Sequence, residues 1–196
     1  MKINVGGQKG RKKCPSGWKI VDVREGADYR ADLMKEPLPF EDSSIEAIYT
    51  SHTLEHLYPH RLPGVLSEFR RVLKSDGLLR VVVPDIDIGI QAYIKGDKKF
   101  LRDKRNPRKM DFMPDHLLCY LSCWFFTYRE DLESDASNVR GHGHLGVFNW
   151  ELLSYYLMAA GFSRVVRRGY GDCDEVFRGC DFERYRDCSL YVEAGM

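Results

Sequence analysis

Several short stretches of the sequence end an apolar run on a residue suited to handling a small ligand. They are Gly6-Gly7 after "KINV", Asp22 after "WKIV", Asp32 in "YRADL", Ser51-His52 after "IEAIYT", and Asp85 after "LLRVVVP". A diglycine lets backbone approach a ligand closely, and a carboxylate ending the next strand can accept both hydroxyls of a ribose. Imidazole exchanges a proton near neutral pH, so His52, His56, His116, His142 and His144 are the candidate bases. His56 lies one helical turn from His52, where it can equally cap or pack. His142 and His144 sit in "GHGHLG", whose glycines suit a shaped loop over a pocket; the plain alternative is a solvent connection. Asp85 is a second candidate base, with the alternative of capping a helix that begins near Asp87.

Metal chemistry is not expected. His116, Cys119 and Cys123 can share a helix face, but a regularly spaced fourth ligand is missing. The six cysteines contain no CxxC pair and no signal peptide opens the chain, so they read as reduced thiols of a cytoplasmic protein. Thirty basic side chains nearly cancel 29 acidic ones, which removes any overall field toward nucleic acid or an anionic membrane. The apolar stretch Leu117 to Tyr128 is about half of the ~20 residues that cross a bilayer. It reads as a buried helix or a lid, or as the face of a homodimer.

The elements that position these residues alternate. Runs bounded by Gly, Pro and Asp recur at "KINVG", "WKIVDV", "IEAIYTS" and "LLRVVVP", with helical periodicity between the later ones. This is an α/β domain with a parallel sheet, a single unit over residues 1–196. "PHRLPGVLSEFRRVLKSDG" places Leu62, Val65, Leu66, Phe69, Val72 and Leu73 on one face and predicts a helix stopped by Gly77, then a strand from Leu78 to Val83. A helix capped by Asn149 and stopped by Gly161 is expected next, with two last strands in "SRVVRRG" and "SLYVEAG", joined by a polar loop from Tyr170 to Asp187. Residues 97–143 interrupt the alternation and read as an inserted helical lid. Small ligands of such sheets sit beyond the carboxyl ends of the strands, where crossovers diverge.

In order, "INVGG", "IVDV", "LPFEDSSIEAIYTSHTLEHL", "EFRRVLKSDGLLRVVVPD", "FNWELLSYYLMAAGF" and "SLYVEA" resemble the class I S-adenosylmethionine-dependent methyltransferases, specifically the small type 11-like group with a shortened amino terminus. The resemblance implies a Rossmann-like, doubly wound, mostly parallel sheet of seven strands in the order 3-2-1-4-5-7-6, with the first helix missing or reduced. It also implies S-adenosylmethionine as cofactor. Gly6 and Gly7 would then lie under the methionyl part, Asp22 on the ribose, Asp32 and Leu33 at the adenine, and Ser51 and His52 along the methionyl side. The family usually has G-x-G at the first turn; Gln8 stands at the second glycine position, where it would crowd the ligand or bond its carboxylate.

A methyl sulfonium is reactive as bound, so the protein has to align an acceptor and, for a hydroxyl, remove its proton. His144 is the first choice of base, before Asp85 and His56. Trp124, Phe125, Phe126 and Tyr128 offer flat apolar surfaces, which with the resemblance suit a sugar, a glycan or another small-molecule hydroxyl acceptor. A nucleic-acid methyltransferase is the second reading, carried by the basic run "KGDKKFLRDKRNPRK". The third is a scaffold domain that has lost the cofactor. A domain excised from a longer glycan-modifying polypeptide is compatible with the first.

Overall fold

A computed structural model describes residues 1–7, 15–103, 115–126 and 143–196. Seven strands form one sheet in the order β3-β2-β1-β4-β5-β7-β6. They are β1 (Lys2–Val5), β2 (Trp18–Asp22), β3 (Tyr29–Arg30), β4 (Ile45–Ser51), β5 (Leu73–Pro84), β6 (Arg164–Arg168) and β7 (Ser189–Gly195). The first five run parallel, and β7 lies antiparallel between β5 and β6. Strand β1 pairs with β2 on one side and β4 on the other, so the chain's crossovers part above its carboxyl end. The order expected from the resemblance is the one observed.

Alternation along the strands sorts the two faces. Leu79, Val81 and Val83 of β5, with Leu190, Val192 and Ala194 of β7, bury against α1 (Leu62–Val72) and α5 (Trp150–Ala159). Helix α1 presents Leu62, Val65, Leu66, Phe69 and Val72 to this core at helical spacing. Helix α5 starts where the Asn149 side chain accepts the Leu152 N–H at 3.1 Å, and ends before Gly161 at φ 94°. Arg70 Nε donates to the Gly161 carbonyl at 2.8 Å, tying one helix to the other.

On the opposite face no helix lies between β1 and β2 or between β2 and β3 among the described residues. The long β6–β7 connection covers that face instead. Phe177 and Cys180 pack on Ala47, Tyr49, Val82 and Tyr191, and the Phe177 ring meets Trp18 of β2 with centroids 6.0 Å apart. Arg80, fully buried in β5, anchors this cover. Its guanidinium donates to Asp181 at 2.6 and 3.0 Å, to Glu193 at 2.9 Å, and to the carbonyls of Gly169 and Asp172. A buried charge is tolerable only when paired and bonded in this way.

The helix expected to run to Gly77 ends at Val72, and Leu73 already belongs to β5. Two strand contacts capture the chain there: Leu73 pairs with Ile45, and the Ser44 N–H donates to the Val72 carbonyl at 2.9 Å. The next β4–β5 pair is Ala47 with Leu78, so Lys74 to Gly77 bulge out. Gly77 serves the bulge, since a Cβ there would come within 2.9 Å of the Lys74 carbonyl oxygen.

Within the insertion, α3 (Lys98–Asp103) and α4 (Leu117–Phe125) pack on α2 (Ile86–Ile94) through Leu101, Tyr120, Leu121, Trp124, Ile86 and Ala92. Gly89 lets the Trp124 ring lie against α2; a Cβ would stand 2.9 Å from it. His116 caps α4, its Nδ1 accepting the Leu118 N–H. No helix among the described residues is long and apolar enough to cross a membrane.

Candidate functional site

Above β1 opens a cavity of about 210 Å³, lined by Gly6, Asp22, Asp32, Leu33, His52 and His56, with Arg24, Met34, Thr53 and Leu57 completing the wall. Gly6 turns the chain at φ 78°, directly under Thr53. Asp22 is 8% exposed; its Oδ1 accepts the Arg24 N–H at 2.9 Å and its Oδ2 lies 3.4 Å from Arg24 Nη1. Each oxygen retains a further lone pair, so the carboxylate can still accept from a ligand. Asp32 is held by the Met34 N–H at 3.0 Å and by Lys35 at 3.2 Å.

Gly7 and Ser51, expected at this site, are not among the residues of the wall. A Cβ on Gly7 would meet the Asn4 amide at 2.7 Å, and the Ser51 hydroxyl is buried with no hydrogen-bond partner among the described residues. Gln8, His142 and Tyr128 lie outside the described residues.

Beyond Ser51 the chain takes an unusual path, and His52 adopts φ 52°, a conformation strained for a residue with a side chain. This carries the chain into the short 3-10 turn Leu54–His56 and brings Glu55 inward. Glu55 is 1% exposed. Its Oε1 lies 3.2 Å from His52 Nδ1 and 4.0 Å from His56 Nε2, close enough for charge attraction, though among the described residues neither carboxylate oxygen has an aligned hydrogen-bond donor. Burial pushes this carboxyl up, but the charges of His52, then His56 and His144, outweigh it and hold the group down at about 2. On its far side His52 pairs with the Ser189 hydroxyl at 2.9 Å and stacks on Tyr185 at 3.6 Å.

His144 arrives from the segment after the insertion, anchored where the Leu145 and Gly146 N–H groups donate to the Glu55 carbonyl at 2.7 and 3.1 Å. It is 8% exposed, unlike a residue of a solvent connection, and its ring stands 5.1 Å from that of His56. A second cavity, of about 320 Å³, opens on this side, lined by His144, Leu54, Leu57, Phe125, Phe126 and Tyr156 among others. Leu57 borders both spaces, and the Glu55, His56 and His144 group sits between them. Phe125 and Phe126 supply flat walls as expected, whereas Trp124 is 2% exposed and spends its surface on α2.

Asp85 takes the structural alternative. Its side chain caps α2 by accepting the Asp87 N–H at 3.2 Å and meets Arg167 Nη2 at 3.1 Å. Burial pushes its carboxyl up despite these partners, and it borders neither cavity. Glu55, Thr53, Arg24 and Leu57 were not singled out from the sequence. For Glu55 a signal exists: in "HTLEH" the spacing i, i+3, i+4 gathers His52, Glu55 and His56 on one turn.

Residues 17–81 match the model of a family described as a methyltransferase domain. Similar solved structures include a SAM dependent methyltransferase from Archaeoglobus fulgidus, with TM-score 0.52 and 15% identity over 100% of this chain and 85% of the other. Another is a SAM-dependent methyltransferase from Thermotoga maritima, described as a possible histamine N-methyltransferase, with TM-score 0.54 and 16% identity over 98% and 80%. At such identities the likeness is one of fold. No curated protein matches the chain.

Proposed function

The chain has the class I methyltransferase fold and resembles the type 11-like group, and on that basis we propose that it is an S-adenosylmethionine-dependent methyltransferase acting on a hydroxyl of a sugar, glycan or other small molecule. The observation that carries this is the pair of cavities meeting at His56, Leu57 and His144, one with the ribose-type carboxylate Asp22 and the other with apolar walls.

The residues of the first cavity fit the cofactor. Gly6 keeps the end of β1 free of a side chain, Asp22 has lone pairs left for two ribose hydroxyls, and Asp32 with Leu33 borders the adenine end. When bound, S-adenosylmethionine would supply an electrophilic methyl sulfonium for transfer to the acceptor oxygen. The protein's remaining tasks are alignment and proton removal. Leu54, Leu57, Phe125 and Phe126 hold the CH face of a sugar or an aromatic ring, and the acceptor's proton leaves at the group built by Glu55, His56 and His144.

Release of S-adenosylhomocysteine, measured with a panel of sugar and phenolic hydroxyl acceptors and with amines, tests the reading, with product mass spectrometry locating the methyl group. Methylation at oxygen is expected, at a rate that withstands raised salt. Methylation at nitrogen alone overturns the hydroxyl assignment, and turnover that requires nucleic acid and collapses in salt favours the second reading.

A further inference from the structure

The Glu55 group leaves an electrostatic question beyond the proposed transfer. A carboxylate 1% exposed, with no aligned donor on either oxygen among the described residues, ordinarily demands a compensating charge. The two nearby histidines are oriented in a telling way. His56 Nδ1 lies 3.3 Å from the Gly143 carbonyl, and His144 Nδ1 lies 3.4 Å from the Trp124 carbonyl. A carbonyl oxygen only accepts, so each Nδ1 carries a hydrogen, and in the neutral form of either ring the lone pair is then on Nε2. One ligand atom from each of Glu55, His56 and His144 lies within 4.8 Å of the others.

Three electron-pair donors converging on a buried point, each imidazole fixed from behind by a backbone carbonyl, is the arrangement by which proteins orient metal ligands. We propose that Glu55, His56 and His144 bind a divalent first-row transition-metal ion, between the cofactor cavity and the acceptor cavity. Two imidazoles and one carboxylate suit zinc, manganese, iron or cobalt, whereas magnesium or calcium would call for an oxygen-rich set. Ligand atoms around such an ion stand about 3.4 Å apart, so binding draws the three side chains inward. His52, 3.2 Å from Glu55 and held by Ser189 and Tyr185, fixes the carboxylate from the side.

Three protein ligands leave a position open, as in catalytic rather than structural sites. Here it faces the spaces that His56 and His144 border. This rests on the proposed transfer and sharpens its substrate class: an acceptor that binds the ion through oxygen, its hydroxyl made more acidic so that the proton passes to water. It also contrasts with the expectation, drawn from His116 and the cysteines, that the chain uses no metal.

The test uses the full chain, stripped of metal and free of adenosyl ligand, titrated with Zn²⁺ by calorimetry and with Co²⁺ by visible absorption. One equivalent should saturate each, and Co²⁺ should develop d–d bands of nitrogen and oxygen coordination without the intense near-ultraviolet band of thiolate. His144→Ala and Glu55→Gln should each weaken binding more than about tenfold. So should His56→Ala, which alters a half-exposed side chain and keeps the test valid if a buried variant fails to fold. Absence of stoichiometric binding, or equal affinity in His56→Ala, overturns the inference. A parallel titration of metal-free protein with S-adenosylhomocysteine separates the two readings: heat there without metal binding leaves the methyltransferase standing and removes the ion.

Discussion

Replacing Gly6 by alanine tests the bend that shapes the cofactor cavity. At φ 78° an alanine sits in the left-handed region, at a cost of about 1–2 kcal/mol. The new Cβ would also fall inside the van der Waals shell of Thr53 Oγ1 and 2.6 Å from its Cγ2. Relieving that overlap means moving Thr53, whose hydroxyl reaches the Val5 and Ser51 carbonyls at 3.4 and 3.3 Å; overpacking of this kind costs about 1–3 kcal/mol. The sum is about 2–5 kcal/mol, a fall in Tm of roughly 4–20 °C for a chain of this size. Thr53→Ala alone gives up two long hydrogen bonds, about 0.5–1.5 kcal/mol. In the Thr53→Ala background the clashes with Oγ1 and Cγ2 are gone and only the approach to Cβ at 2.8 Å remains, so Gly6→Ala should cost less there than in the wild-type chain. Thermal denaturation of the four proteins measures the cycle. If Gly6→Ala costs nothing, or costs the same with and without Thr53, the bend is not built as described.

Three further outcomes are expected. Arg80→Met removes the guanidinium that Asp181 and Glu193 share, leaving Glu193 with Arg168 as its cation, and should destabilise the fold by about 3–5 kcal/mol in urea denaturation. Gly89→Ala should lower stability by about 1–3 kcal/mol by pushing Trp124 off α2, leaving S-adenosylhomocysteine affinity unchanged. Phe126→Ala, at an exposed wall of the second cavity, should raise the acceptor KM severalfold, for a loss of about 0.5–1.5 kcal/mol, with Tm unaltered.

Much of the frame was legible because it obeys local rules. The buried stripe of α1 repeats at helical spacing, Asn149 and Gly161 bracket α5 with their own chemistry, and β5 is a β-branched run closed by proline. The rest depends on partners far along the chain. Arg80 looks misplaced in "LLRVVVP" until Asp181 and Glu193, 101 and 113 residues away, are seen beside it. The stretch from Tyr170 to Asp187 reads as polar loop, yet Phe177 and Cys180 within it cover a sheet face that helices would otherwise occupy. The end of α1 is set the same way: Gly77 suits a helix stop, but pairing of Leu73 with Ile45 captures the chain first. At the site, strand ends pointed to Gly6, Asp22, Asp32, Leu33 and His52, all of which border one cavity. The inward turn of Glu55 follows from the positive φ of His52, which no spacing announces.

Calorimetric titration with S-adenosylhomocysteine, on the wild-type chain and on Asp22→Asn, addresses the central claim most directly. Asparagine keeps an acceptor for the Arg24 N–H while removing the charge offered to the ribose hydroxyls, a difference of about 1.5–3 kcal/mol. One molecule bound per chain, with affinity at least about tenfold weaker in Asp22→Asn, is the predicted result. No heat from the wild-type chain, or equal affinity in both proteins, would contradict it.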